Sequence, residues 1–419
     1  VGLPGNVVAA LEVAADQRSD KQKNELVAHF RAVAPELKPV RDSIASLTQQ
    51  KTDFEKALPR TLMSKTTNPR PIRLLSRGNW LDEAGPETPP AIPEFLGKVG
   101  DGKSRANRLD LAQWIVDRNN PLTARTFVNR LWKLYFGQGL AAPLDDLGRQ
   151  GTLPTHPELL DWLAVEFMDS DWDVKHMVRL LVTSGTYRQS SDTTPTLRKQ
   201  EPYNKSYARQ SRFRIDAEFV RDNALAVSGL LVESVGGRSV YPYQPAGYWR
   251  HMNFPAREWP GDNGDSLYRR GLYTWWQRMF LHPSMVAFDA PSREECTVER
   301  PRSNIPQQAL VLLNDPTYVE AARAFGARII REGGVTPDSR LNWAYQAALS
   351  REITDREATV LKAVLGRHVA EFTADKAAAE QFLKVGQNPR PADLDVVELA
   401  AWSSIARVIL NLHEVITRS

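Results

Sequence analysis

Cysteine is almost missing from this sequence of 419 residues, which contains only Cys296. A single cysteine cannot form an intrachain disulfide, and it excludes both the multi-cysteine zinc patterns and a haem-attachment motif with two cysteines. No apolar run approaches the ~20 residues that a membrane-spanning helix needs. The sequence therefore predicts a chain with no disulfide framework, no haem attached by its own residues and no membrane span.

The sequence also has little excess charge of either sign. It contains 54 Lys and Arg residues and 50 Asp and Glu residues, and the two kinds are interspersed along the chain. Nucleic-acid-binding proteins carry a concentrated basic face, so we predict no nucleic-acid partner. The sequence has no Gly-rich phosphate loop after a strand and no pair of histidines at metal-ligand spacing, and we predict no metal site. The chain starts with neither an initiator Met nor a signal peptide, so we expect it to begin within a longer precursor or after a cleavage site.

Apolar residues at helical spacing predict a mainly α protein, a multi-helix bundle with a small β element and a long irregular segment rich in aromatic residues and proline. Residues 1–58 are predicted to form a helical hairpin. Residues 59–104 are predicted to form a small β element and a Pro-rich linker, with strand-like content at Thr61–Thr66 and Ile72–Arg77. Residues 105–419 are predicted to form the main helical domain, with an irregular insertion at about 236–316.

Two helix starts carry the Ser/Thr-X-X-Glu pattern of a capping box, in which the two side chains satisfy free backbone donors. They lie at Thr155–Glu158 and Thr354–Glu357. The polar and basic residues 191–215 are instead predicted to form a solvated loop.

Aromatic residues concentrate in the irregular segment, where ten of them fall between Tyr241 and Trp276. Aromatic faces stack on sugar rings, and the interspersed prolines predict loops, which often carry binding residues. These features favour a carbohydrate-binding cleft, and the alternative is that the rings fill the core beneath a loop-rich region, where large apolar rings are usually found. The candidate binding residues in this half are Tyr243, Tyr248, Trp249, His251, Trp259, Trp275 and Trp276.

A charged run follows, and its candidate residues are Asp289, Arg293, Glu294, Cys296 and Arg300. Paired carboxylates serve as general acid and base in glycoside hydrolysis. Nearby arginines favour the reactive thiolate of a cysteine, and His251 or His282 would be its base. The alternatives are an ion-pair network that holds a loop in place and a buried, inert thiol.

Several longer motifs run through the main domain. They are Asn107–Trp114, Asn120–Arg125, Val128–Trp132, Phe136–Leu140, Asp146–Gly148, Thr155–Ala164, Thr186–Ser191, Tyr243–Gly247, Asp289–Pro291, Pro306–Leu310 and Asn314–Pro316. Together they resemble the planctomycete surface-protein domain of unknown function that lies C-terminal to planctomycete-type cytochrome c domains.

The resemblance implies an exported protein of the periplasm or cell surface, with no cofactor within this chain and with haem on a partner or an upstream domain. It implies a cytochrome c-type domain or another exported protein as the partner, and no particular activity. We therefore expect an accessory or docking module of a redox or polysaccharide-processing assembly, without complete catalytic machinery. The alternatives are a carbohydrate-active enzyme or carbohydrate-binding protein that uses residues 241–300, and a cytochrome partner that supplies a haem ligand from His251 or Cys296.

Overall fold

A computed structural model describes residues 2–82, 84–251, 258–277 and 280–418, with only the backbone of Arg250 and His251. The chain divides into two compact units, Val1–Pro89 and Pro90–Ser419. Among the described residues, helices dominate and the regular strands form one two-stranded sheet, which confirms the predicted mainly α fold class. The described helices include none that is long and apolar enough to cross a membrane.

The first unit contains three helices, α1 (Gly5–Leu11), α2 (Asp20–Val33) and α3 (Lys38–Ala57). Ser19 begins α2 through a capping box with Gln22. The guanidinium group of Arg41 in α3 donates hydrogen bonds to the carbonyls of Arg31 and Ala34, both at 2.9 Å. These bonds satisfy carbonyls at the end of α2 that have no partner within the helix, and they fix the turn between the two helices.

The strand predicted over Thr61–Thr66 is wrong, because the structure gives these residues no regular pairing. Leu62 and Met63 are almost fully exposed, so they gain none of the burial that stabilises strand residues. An isolated antiparallel bridge between Arg73 and Glu87 is the β pairing found among the described residues of this region.

The described residues of the second unit contain thirteen helices. They are α4 (Arg108–Ile115), α5 (Thr123–Phe136), α6 (Pro157–Asp169), α7 (Val174–Thr183), α8 (Pro195–Gln200), α9 (Ala217–Ser228), α10 (Pro283–Val286), α11 (Pro306–Asn314), α12 (Pro316–Glu332), α13 (Pro337–Leu349), α14 (Asp355–Ala374), α15 (Lys376–Phe382) and α16 (Val396–Leu410). Strand β1 (Phe213–Arg214) pairs antiparallel with β2 (Thr417–Arg418). The sheet therefore joins the end of the described chain to the segment before α9.

Two hydrophobic cores organise this unit. The larger one surrounds α12 and α16, where Phe325, Ile329 and Ile405 are fully buried, and it takes in residues of α9, α13 and α14. The smaller one lies between α5, α6 and α7. The irregular segment 229–282 connects α9 to α10.

The two predicted capping boxes have different outcomes. The box at Thr354 is confirmed, since its side chain accepts from the backbone amide of Glu357 while the Glu357 side chain accepts from that of Thr354. The box at Thr155 is wrong, because α6 starts one residue later, with His156 as its N-cap. Both the backbone amide and the hydroxyl of Thr155 donate to the Leu140 carbonyl, at 2.8 and 3.3 Å, so a tertiary contact replaces the cap.

The close approach of α12 and α16 depends on Gly326, where a β-carbon would lie 2.8 Å from the backbone nitrogen of Ser403. We expect Gly326→Ala to lower the free energy of unfolding by about 1–3 kcal/mol, because the packed core has no room for a methyl group. The matched control is Gly366→Ala in α14, whose β-carbon would meet no atom within 4 Å. That change should be neutral or stabilise by up to about 1 kcal/mol, since alanine favours the helix. Urea unfolding measures both, and equal effects would contradict the close packing.

Candidate functional site

Aromatic rings of the irregular segment pack against one another. Tyr241, Trp249, Trp259, Trp275 and Phe280 form this ring cluster, with neighbouring centroids 4.9–6.0 Å apart. Trp249 is only 6% exposed, and its indole nitrogen donates to the side-chain oxygen of Gln244 at 2.5 Å. The other four rings are partly buried. Trp249 thus lies inside the cluster, while its neighbours keep part of their surface.

The edge of the ring cluster is formed by Tyr248, which contacts Phe280 with a centroid separation of 4.6 Å. Its hydroxyl donates to the Leu281 carbonyl at 3.3 Å. The candidate His251 follows in the same short 3₁₀ helix, Tyr248–His251, but its side chain lies outside the described part of the chain.

His282 lies against the ring cluster, 5.9 Å from Trp259 between centroids, and is 3% exposed. One ring nitrogen, Nε2, lies 2.8 Å from the Tyr243 carbonyl, and Nδ1 lies 2.9 Å from the Ser284 hydroxyl. Burial and, to a smaller extent, the positive charge of Arg221 lower the pKa of His282 to about 4. The neutral ring therefore donates from Nε2 and accepts at Nδ1. Since both nitrogens are occupied, His282 is not free to act as a base for Cys296.

Tyr243 contacts the carboxylate of Glu320, a residue of α12. Glu320 is only 1% exposed. Glu320 accepts from the hydroxyls of Tyr243 and Tyr268 at 3.0 and 3.1 Å, from the backbone amide of Asn388 at 2.6 Å and from Arg323 at 3.4 Å. Burial and the neighbouring carboxylate raise the pKa of Tyr243 to about 12. A buried charge is tolerated when it is paired and hydrogen-bonded, as here. The Glu320 carboxylate thereby links the irregular segment to α12.

A second buried charge, Arg221 of α9, is 2% exposed. Its guanidinium group donates to the Arg269 carbonyl at 2.6 Å and to the Leu267 carbonyl. Arg269 is itself buried and lies over the Tyr273 ring at 3.8 Å. These contacts hold the middle of the irregular segment against α9.

Trp276 contacts the charged run instead of the ring cluster. The Arg293 guanidinium lies 3.9 Å from the centroid of the Trp276 ring. Arg293 and Arg300 both donate to the Glu218 carboxylate in α9, at 3.2 and 2.6 Å. Although burial raises the pKa of Glu218, its hydrogen bonds and the positive charge of Arg300 bring that pKa below its ordinary value. Two predicted residues, Arg293 and Arg300, therefore converge on the Glu218 carboxylate, and Arg293 also covers the Trp276 ring.

Asp289 forms a neighbouring network and adopts the left-handed conformation, with φ at 62°. Its carboxylate accepts from Arg214, and from the backbone amide and hydroxyl of Ser303, both at 2.8 Å. Gln308 donates to the Ser303 carbonyl at 3.2 Å and to the Ala287 carbonyl at 3.0 Å. The contacts with Arg214 and Ser303 support a backbone conformation that is uncommon outside glycine, so the Asp289 side chain holds the loop.

The remaining candidates, Glu294 and Cys296, are exposed on the loop between Arg293 and Arg300. The expectation of a buried thiol is wrong, since Cys296 is free and exposed. Polar residues around it give the loop no apolar surface with which to cover the sulfur.

Sequence reasoning missed Arg214, Glu218 and Glu320, which hold the candidates in place. The prediction of a solvated loop over 191–215 is wrong for Arg214, whose side chain is 8% exposed and pairs with Asp289. One available signal was the alternation of charged and apolar residues from Arg214 to Glu218, which is typical of a chain with one buried face. Glu320 had no comparable signal, because its donors come from three distant segments.

A large apolar groove lies between α4, the turn that follows it and α5. Its volume is about 650 Å³, and its walls include Trp114, Leu122, Phe127, Leu131 and Leu134. Leu122 and Leu134 are 44% and 56% exposed. Exposed apolar surface of this kind is typical of an interaction site.

Comparison with family models places this chain in a class of proteins whose activity is not known. Residues 107–365, more than half of the chain, match the model of the PSD1 family, described as proteins of unknown function (DUF1553). The protein belongs to this family, which confirms the resemblance seen in the motifs. No curated protein matches the chain, and no solved structure does.

We expect His282→Gln to make the protein less sensitive to acid. The pKa of His282 is about 4 in the folded chain and 6.5 in the unfolded chain, so on acidification the unfolded chain binds a proton first. Stability should fall as the pH drops from 6.5 to 4, by about 3 kcal/mol in total. Glutamine still donates to the Tyr243 carbonyl but cannot be protonated.

The measurement is the urea midpoint as a function of pH through that interval, with His413→Gln at an exposed position as the control. The slope should flatten in His282→Gln and stay unchanged in the control. An unchanged slope in both variants would contradict a buried neutral imidazole at position 282.

Proposed function

We propose that this protein is an accessory docking module of an exported redox or polysaccharide-processing assembly, without complete catalytic machinery of its own. The observation that supports this proposal most strongly is the internal pairing of the charged candidates. Asp289 is paired with Arg214, while Arg293 and Arg300 are paired with Glu218. Glycoside hydrolysis requires two carboxyl groups that flank an open substrate site. Carboxylates whose oxygens already accept from the chain's own donors hold a loop instead.

The apolar groove between α4 and α5 is the surface that we assign to docking. Leu109, Ile115 and Val116, in α4 and at its end, are also exposed apolar residues. The partner that the family resemblance supports is a cytochrome c-type domain or another exported protein of the periplasm or cell surface. Apolar side chains of such a partner would fill the groove, because burying apolar area drives most protein association.

We expect the paired substitution Leu122→Asp and Leu134→Asp to release the partner, since a carboxylate in the groove would have to be desolvated on binding. Native mass spectrometry of the protein purified under mild conditions from its source measures the complex. Leu310→Asp is the matched control, because Leu310 is 57% exposed and lies on α11, away from the groove. The proposal fails if the unaltered protein is always found alone, or if it hydrolyses a polysaccharide in a reaction that Asp289→Asn abolishes.

Carbohydrate binding by the ring cluster is the second candidate. The observation in its favour is that Tyr241 stacks on Trp275 and Trp259 contacts both rings edge-on, while each of the three stays only partly buried. Titration with a panel of neutral and acidic polysaccharides tests this function, with Trp259→Ala expected to weaken binding while the protein stays folded. Failure of the unaltered protein to bind any member of the panel would end this alternative.

The third hypothesis is a haem ligand supplied to a cytochrome partner. Cys296 supports it to the extent that its thiol is free and exposed. A haem-peptide titration followed in the Soret region tests the ligand, and a spectrum identical to that of Cys296→Ser would rule the sulfur out.

A further inference from the structure

A small cavity lies between α5, the start of α9 and residues 297–302. Its volume is about 230 Å³, and four cationic side chains line it, Arg130, Lys133, Arg300 and Arg302. The only acidic side chain in its wall is Asp216 among the described residues. Cationic side chains therefore outnumber acidic ones in the cavity wall, in a chain whose net charge is only +4.

Two of the four cations have carboxylate partners within the chain. Lys133 lies 2.9 Å from Glu299, and its side chain is only 11% exposed. Arg300 is 2.6 Å from Glu218 and 3.7 Å from Asp216. These pairs place the two cations at the cavity wall and neutralise them.

The other two cations have no carboxylate partner among the residues that the structure describes. Arg302 lies over the Phe213 ring at 4.6 Å and donates to the Gly137 carbonyl at 3.5 Å. Arg130 has no hydrogen bond or ion pair within the described part of the chain. Arg130 and Arg302 are exposed residues that line one cavity, and their like charges repel each other. An anion between them would remove that repulsion.

We propose that this cavity binds an oxyanion, the phosphate, sulfate or carboxylate group of a small ligand, with Arg130 and Arg302 as its principal donors. Guanidinium groups present paired N–H donors that match the oxygen atoms of these anions. A volume of about 230 Å³ suits one such group, since sites for whole drug-sized ligands begin at about 300 Å³. Arg130 and Leu134 also line the apolar groove, so the cavity adjoins the groove.

Isothermal titration of the whole protein with inorganic phosphate, sulfate and acetate at low ionic strength tests the site. We expect one saturable site, with phosphate and sulfate bound more tightly than acetate because they carry more charge. Arg130→Gln and Arg302→Gln should each weaken phosphate binding about 10-fold or more, because each removes a charge-assisted hydrogen-bond donor. Arg179→Gln is the matched control, since Arg179 is exposed on α7 and its loss lowers the net charge equally.

Thr297→Asp is a second variant, which adds a carboxylate to the cavity and removes no cation. It should weaken phosphate binding and raise the thermal unfolding temperature of the free protein, because it relieves the repulsion between the cations. The absence of saturable binding for all three anions would overturn the proposal, as would an equal loss of affinity in Arg179→Gln. Neither outcome bears on docking, which is measured with the leucine variants.

Discussion

The buried carboxylate of Glu320 is the interaction on which the irregular segment depends. A carboxylate removed from water is strongly unfavourable unless its oxygens are occupied. Here Tyr243, Tyr268 and the backbone of Asn388 supply donors from three separate parts of the chain. Arg221 of α9 is a buried positive charge, and its guanidinium group donates to two backbone carbonyls of the irregular segment. A segment that contains little regular structure is thus fixed through buried charge to α12 and α9, two helices of the larger core.

The same principle explains the charged run that follows. Glu218 forms ion pairs with Arg293 and Arg300. Asp289 accepts hydrogen bonds from Arg214 and from the backbone amide of Ser303. Partly buried pairs of this kind position loops, and removing one partner leaves the other charge uncompensated. Residues that resembled an acid–base site in the sequence therefore act as supports. Arg130 and Arg302, which have no carboxylate partner among the described residues, line the cavity beside α5 together with the paired Lys133 and Arg300.

Helices were the predictable part of the fold, because a periodic apolar stripe is a local property. Apolar residues at helical spacing predicted the mainly α class, and the box at Thr354 starts α14 as expected. Predictions that depended on distant partners were wrong, as with the strand at Thr61–Thr66 and the cap at Thr155. Residues Thr61–Thr66 have no neighbouring strand among the described residues. Thr155 donates a hydrogen bond to the carbonyl of Leu140, fifteen residues away along the chain.

The sequence by itself determined the helical class, the family and the region where aromatic and charged residues concentrate. All three follow from residue order along the chain, which periodicity and motifs report directly. Only the tertiary structure decided which of those residues meet. Trp275 joins the rings while the adjacent Trp276 contacts Arg293, and Cys296 is exposed. The reason is physical: a buried charge selects its partners by distance in space, and the donors to Glu320 are separated by up to 145 positions, from 243 to 388.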